Sequence, residues 1–106
     1  MNDRILSLLG LCRRAGKIVI GADPVIESMR EGKAFVVLTA SDFSKNSKKN
    51  ILKAIDEYGT KAYTVNRTKD EISHALGRLC GVLSITDKGF SDKIQELILK
   101  ETEQEE

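Results

Sequence analysis

Histidine, cysteine and proline are scarce in this 106-residue chain, and long apolar runs are missing altogether. No stretch reaches the roughly eighteen apolar residues that a membrane-spanning helix needs. The start, Met1-Asn2-Asp3-Arg4, lacks the basic and apolar regions of a secretion signal, so a cytoplasmic location is expected. His74 is the only histidine, and no second histidine, close cysteine pair or acidic triplet stands near it to complete a zinc site. Cys12 and Cys80 both sit in apolar patterns with helical spacing, which predicts reduced, buried thiols. The glycines at 16 and 21 are followed by no Gly-Lys-Ser or Gly-Lys-Thr, so a phosphate-binding loop of nucleotide enzymes is absent. Asp56 and Glu57 are adjacent on a predicted helix and point in different directions, which makes a poor acid–base pair. The expectation is a protein without catalytic activity, needing no cofactor, metal or small-molecule substrate.

The chain does hold enough for one ordered domain: 41% hydrophobic residues, 31% charged residues and a single proline. Net charge is only +1, but it is unevenly spread. Residues 1–53 carry ten lysines and arginines against five acids; residues 54–106 carry seven against eleven. Four of those acids fall in residues 101–106, read as a frayed acidic tail beyond a single domain spanning residues 1–100. The basic first half reads either as ordinary surface or as a local field that attracts phosphates.

Periodicity alternates along the chain. Helical spacing predicts helices over residues 3–14, 23–31, 44–58, 68–80 and from about residue 90 onward. Short β-branched or apolar runs predict strands over residues 17–20, 34–40, 62–66 and 82–86. Asp23 can cap the second helix, with Pro24 at its first position. Gly81 is placed at the end of the fourth helix. The order α-β-α-β-α-β-α-β-α predicts an α/β fold, a three-layer α/β/α sandwich around a small mixed four-stranded sheet.

Four features invite a binding role, each with a plainer reading beside it. The turn from Gly16-Lys17 through Gly21-Ala22-Asp23 permits close backbone approach and leaves amides free at a helix start; it also reads as a simple strand-to-helix connection. Arg30 and Lys33 are either phosphate contacts or ordinary charge at a helix C-terminus. Lys45, Lys48, Lys49 and Lys53 form one helical stripe, which is either solvated or basic by design. Gly81-Val82-Leu83, after Leu76-Gly77-Arg78-Leu79-Cys80, could cover an unstacked base or simply end a helix.

An ordered set of short motifs adds to this. Arg14-Ala15-Gly16-Lys17, Gly21, Arg30-Glu31-Gly32-Lys33-Ala34, the segment 35–40, Asp42-Phe43-Ser44-Lys45-Asn46-Ser47-Lys48-Lys49, Leu76-Gly77 and Thr86-Asp87-Lys88-Gly89-Phe90 occur in family order and spacing. Together, over about residues 5–98, the chain resembles the bacterial YlxQ-type members of the superfamily that includes ribosomal proteins L7Ae and L30e. The resemblance implies an α/β/α sandwich that binds structured RNA, typically kink-turns, in a ribonucleoprotein setting such as the ribosome. It implies an RNA site at Lys17, Gly21, Ala22, Asp23, Arg30, Lys33, Asp42, Phe43, Gly81, Val82 and Leu83. A monomer is the expected state of the chain. Kink-turn binders of this superfamily carry Asn-Glu after the helix-start Gly-Thr and a lysine three residues further on, where this chain has Asp23-Pro24 after Gly21-Ala22, and then Glu27. The alternative is a protein-interaction module on the same scaffold, with Asp23, Pro24 and Glu27 forming its changed face.

Overall fold

Helical and extended segments alternate along the whole chain in the computed structural model, which describes residues 3–104. The elements are α1 (Arg4–Arg14), β1 (Ile18–Ile20), α2 (Ala22–Arg30), β2 (Val36–Thr39), α3 (Lys45–Tyr58), β3 (Ala62–Thr64), α4 (Lys69–Leu76), β4 (Val82–Ile85) and α5 (Lys88–Gln104). The four strands form one mixed sheet in the order β1-β4-β2-β3. β4 runs antiparallel to both β1 and β2, while β3 pairs parallel to β2.

Strand alternation sorts the core into two layers. Val36, Leu38, Leu83 and Ile85 face Ile5, Leu9, Cys12, Ile72, Leu76, Ile94 and Leu97 of α1, α4 and α5. Val37 and Val82 face Val25, Met29, Ile51 and Ala54 of α2 and α3. Each such buried aliphatic side chain contributes about 1.5–3 kcal/mol by leaving water. A polar pair in the second layer is satisfied: the Ser28 hydroxyl donates to the Val25 carbonyl at 2.6 Å and shares a 2.8 Å bond with Ser84.

Several boundaries differ from the sequence expectation. α2 starts at Ala22 with Gly21 as its cap, so Pro24 is the third helical residue rather than the first. That placement is tolerated because the first-turn amides have no intrahelical acceptor. α4 ends at Leu76, not at Gly81: Gly77 adopts φ 70°, and its amide closes on the Ser73 carbonyl. Leu79 and Cys80 therefore belong to a loop, although Cys80 is buried as expected. Phe35 precedes β2 and is half exposed. α5 runs on to Gln104, so the boundary drawn at residue 100 falls inside a helix; residues 105–106 of the expected tail lie outside the described residues.

One ion cluster ties the ends of the chain together. Arg67, between β3 and α4, donates to Asp3 at 2.6 and 3.2 Å and to Glu101 at 2.6 and 3.0 Å. Its side chain is only 13% exposed. The cluster joins the start of α1, the β3–α4 connection and the last turns of α5.

Candidate nucleic-acid interface

Because β1, β2 and β3 run the same way, the helices that follow them all begin at one end of the sheet. α1 begins there too, since its cap Asp3 meets Arg67. Four helix N-termini share this end, and each carries the equivalent of roughly half a positive charge. They are not equally open. The α1 start is capped by Asp3, which accepts from the Leu6 amide at 3.0 Å. The α4 start is capped by Thr68 and Glu71 reciprocally, and by Asp42 accepting from the Lys69 amide at 2.8 Å. The α2 and α3 starts have no side-chain cap bond.

The α2 start is the more constrained of these two. Gly21 sits at φ 103° and ψ 153°, a region that side chains other than glycine avoid. Its amide donates to the Val82 carbonyl at 3.0 Å, and its carbonyl accepts from the Val25 amide at 3.0 Å. Pro24 has no amide hydrogen. Ala22 and Asp23 are thus the first-turn residues whose amides point outward without a helical acceptor. The Asp23 carboxylate lies in the same turn and is exposed.

β4 brings distant segments against this turn. The Gly81 carbonyl accepts from the Ala40 amide at 2.9 Å, next to the Gly21–Val82 bond. The Phe43 ring lies over Gly81 so closely that a Cβ there would stand 2.8 and 3.1 Å from two ring carbons, with the Lys69 stem at 3.4 Å. Gly21, Ala22, Asp23, Asp42, Phe43 and Gly81 are therefore brought together. Gly81→Ala is expected to push the ring aside and lower stability by about 1–3 kcal/mol, read from a shifted denaturation midpoint; an unchanged midpoint would mean that the ring yields freely.

The other sequence-predicted residues fall elsewhere. Lys17 lies beside Thr86, whose amide it accepts at 2.9 Å, at the opposite end of the sheet. Arg30 closes α2, a nine-residue helix that rises about 13 Å, and Lys33 follows it toward that same far end. Arg30 is ion-paired with Glu27, and Lys33 lies 3.8 Å from Glu31. Val82 and Leu83 are 2% and 0% exposed, so the expectation that they cover a base is corrected. Their side chains face the two core layers. The exposed members of that loop are Arg78 and Leu79, the latter 81% exposed. Reading Gly77 as the helix stop would have found them; the apolar spacing of Leu76 and Leu79 concealed it.

From the candidate interface end, a groove of about 480 Å³ runs between α1 and α4 beside Asp3, Glu71, His74 and Arg14. Its two carboxylates are engaged in the helix caps just described. Burial, with a smaller contribution from Asp87, pushes the Cys12 thiol up to about 11, and burial alone does the same for Cys80. Both are protonated apolar side chains at neutral pH. Among the described residues no helix is long and apolar enough to cross a membrane, and no cluster of potential metal ligands forms.

Two helices on one face of a mixed sheet, three on the other and open backbone donors gathered at one end define a three-layer sandwich with a surface site rather than a cleft. The chain belongs to the Ribosomal protein L7Ae/L30e/S12e/Gadd45 family, which it matches over residues 3–95. It is 34% identical over 97 residues to the RNA-binding protein YlxQ of Enterococcus faecium, covering 92% of this chain and 93% of the relative. It is 36% identical over 96 residues to the RNA-binding protein YlxQ of Bacillus subtilis strain 168, covering 86% and 91%. Its fold superposes with a TM-score of 0.85 on a protein of unknown function from Bacillus halodurans C, at 30% identity over 92% of this chain and 98% of the other.

Proposed function

We propose that this chain is a noncatalytic, cytoplasmic RNA-binding protein that holds a bent, kink-turn-like RNA at the sheet end formed by Gly21, Ala22, Asp23, Asp42, Phe43 and Gly81. The observation that carries this reading is the pair of outward amides at Ala22 and Asp23, held by a glycine-only turn in a family with YlxQ relatives named as RNA-binding proteins. In this reading the two amides donate to phosphate or base-edge oxygens. The Asp23 carboxylate accepts from a guanine amino or imino group, a role that an asparagine side chain would share. Leu79 offers the exposed apolar contact for an unstacked base in place of Val82 and Leu83. Lys17, Arg30 and Lys33 stand about a helix length from the amides, so any phosphates they meet belong to another part of the RNA. Glu27 is held by Arg30, which tempers both the repulsion of the one and the attraction of the other.

Titration at fixed salt against a kink-turn duplex and a straight duplex of equal length tests this. Tighter binding to the kinked RNA is expected. Equal affinities would remove the kink selectivity, and no binding to either would end the RNA reading.

A further inference from the structure

The start of α3 gathers positive charge where a helix dipole favours negative charge. Lys45, Lys48 and Lys49 crowd its first turns, at the positive end of the helix dipole, and Lys53 follows one turn later. No acid occupies its first turn, and its cap residue Ser44 makes no side-chain bond. Like charges at these spacings cost a few tenths of a kcal/mol per pair. Six of the other cations are ion-paired, Arg30 with Glu27, Lys33 with Glu31, Arg67 with Asp3 and Glu101, Lys88 with Asp92, and Lys93 and Lys100 with Glu96; the unpaired cations outside α3 are scattered over several elements rather than gathered on one helix face. None of the four α3 lysines has an acidic partner within 4 Å among the described residues. Lys45, Lys49 and Lys53 are exposed and Lys48 half-exposed. A local arrangement that works against the fold without compensation inside it marks a surface kept for something outside it.

We propose that this stripe is a track for the phosphodiester backbone of an RNA stem that continues from the kink-binding end. The inference rests on the RNA reading above and deepens it. Placement supports it. α3 begins at Lys45, two residues after Phe43, whose ring covers Gly81, so the stripe starts at the candidate interface. From Lys45 to Lys53 it extends about 12 Å along the helix axis, far enough to follow several consecutive phosphates of one strand. Flexible, hydrated ammonium groups suit backbone neutralisation rather than base reading. The stripe therefore adds affinity and salt dependence, and the α2 turn supplies selectivity.

The test uses the full chain with Lys45→Gln, Lys48→Gln, Lys49→Gln and Lys53→Gln combined, against kink-turn duplexes with short and with lengthened stems. Each neutralised phosphate contributes about 0.7–0.9 to the slope of log affinity against log salt. The combined variant is expected to flatten that slope by about 2 to 3 and to lose the advantage of the longer stem. Its ratio of kinked to straight affinity stays as in the unaltered protein, and its melting temperature does not fall, because the crowded lysines are gone. Arginine at the same four positions keeps the slope. An unchanged slope in the glutamine variant would overturn the track while leaving the α2 site standing. If the unaltered protein binds neither RNA, the RNA reading falls and the track falls with it.

Discussion

Gly21→Ala is expected to lower the unfolding free energy by about 1–3 kcal/mol and to weaken RNA binding about tenfold or more. Steric room does not set this cost. A Cβ at position 21 would meet Pro24 carbons at 3.6 and 3.8 Å, which is ordinary contact. The backbone sets it, because φ 103° with ψ 153° is a conformation that alanine can hold only under strain. Relief requires the turn to rotate, and rotation breaks the Gly21 amide bond to the Val82 carbonyl. The Ala22 and Asp23 amides then no longer point together. Denaturant titration reports the first effect and RNA titration the second. A variant that loses stability yet binds as before would show that those amides are not the RNA donors.

Arg67→Met is expected to cost about 2 kcal/mol at neutral pH, a figure reduced from that of a fully buried pair because its partners keep some solvent. Methionine preserves much of the buried stem while leaving the Asp3 and Glu101 carboxylates, 29% and 31% exposed, without their shared cation. Burial by itself raises the Asp3 carboxyl. The Arg67 hydrogen bonds and the Leu6 amide outweigh burial and hold it below its ordinary 3.8. A depressed folded value adds stability that is fully present above 3.8 and disappears as pH falls through the folded value. The difference between the two proteins should therefore be full at neutral pH and narrow below about pH 4. A gap that persists unchanged in acid would assign the loss to packing around the Arg67 stem instead.

The alternation of helices and strands was legible because each apolar run carries its own period: Ile5, Leu9 and Cys12 at helical spacing, and 35–38 as a continuous block. What misled was apolar residues that continue past a stop. Leu79 lies in phase with Ile72 and Leu76, yet Gly77 had already turned the chain. The site was legible as segments but not as a constellation. Lys17 and Gly21 are four residues apart and read as neighbours, whereas a strand between them sends them to opposite ends of the sheet. Gly21, Phe43 and Gly81 are far apart in the chain and meet because β4 enters between β1 and β2. That insertion is a long-range pairing, and local periodicity carries no signal for it. The paired acids of α2 and the unpaired lysines of α3 were equally invisible, since both depend on which side chains reach one another.

The central place of β4 also governs when this protein can fold. β1 and β2 do not pair with each other; β1 finds its one strand partner in residues 82–85, and β2, paired with β3 on its other edge, is joined to β1 only through them. A nascent chain that has emerged only through α4 can pair β2 with β3 but leaves β1 with no strand to join. The Val82 carbonyl that receives the Gly21 amide is also still missing. The turn proposed to bind RNA thus takes its shape only once β4 has been made, and termination anywhere ahead of residue 82 yields a product in which β1 has no strand partner and the Gly21 amide lacks its Val82 acceptor.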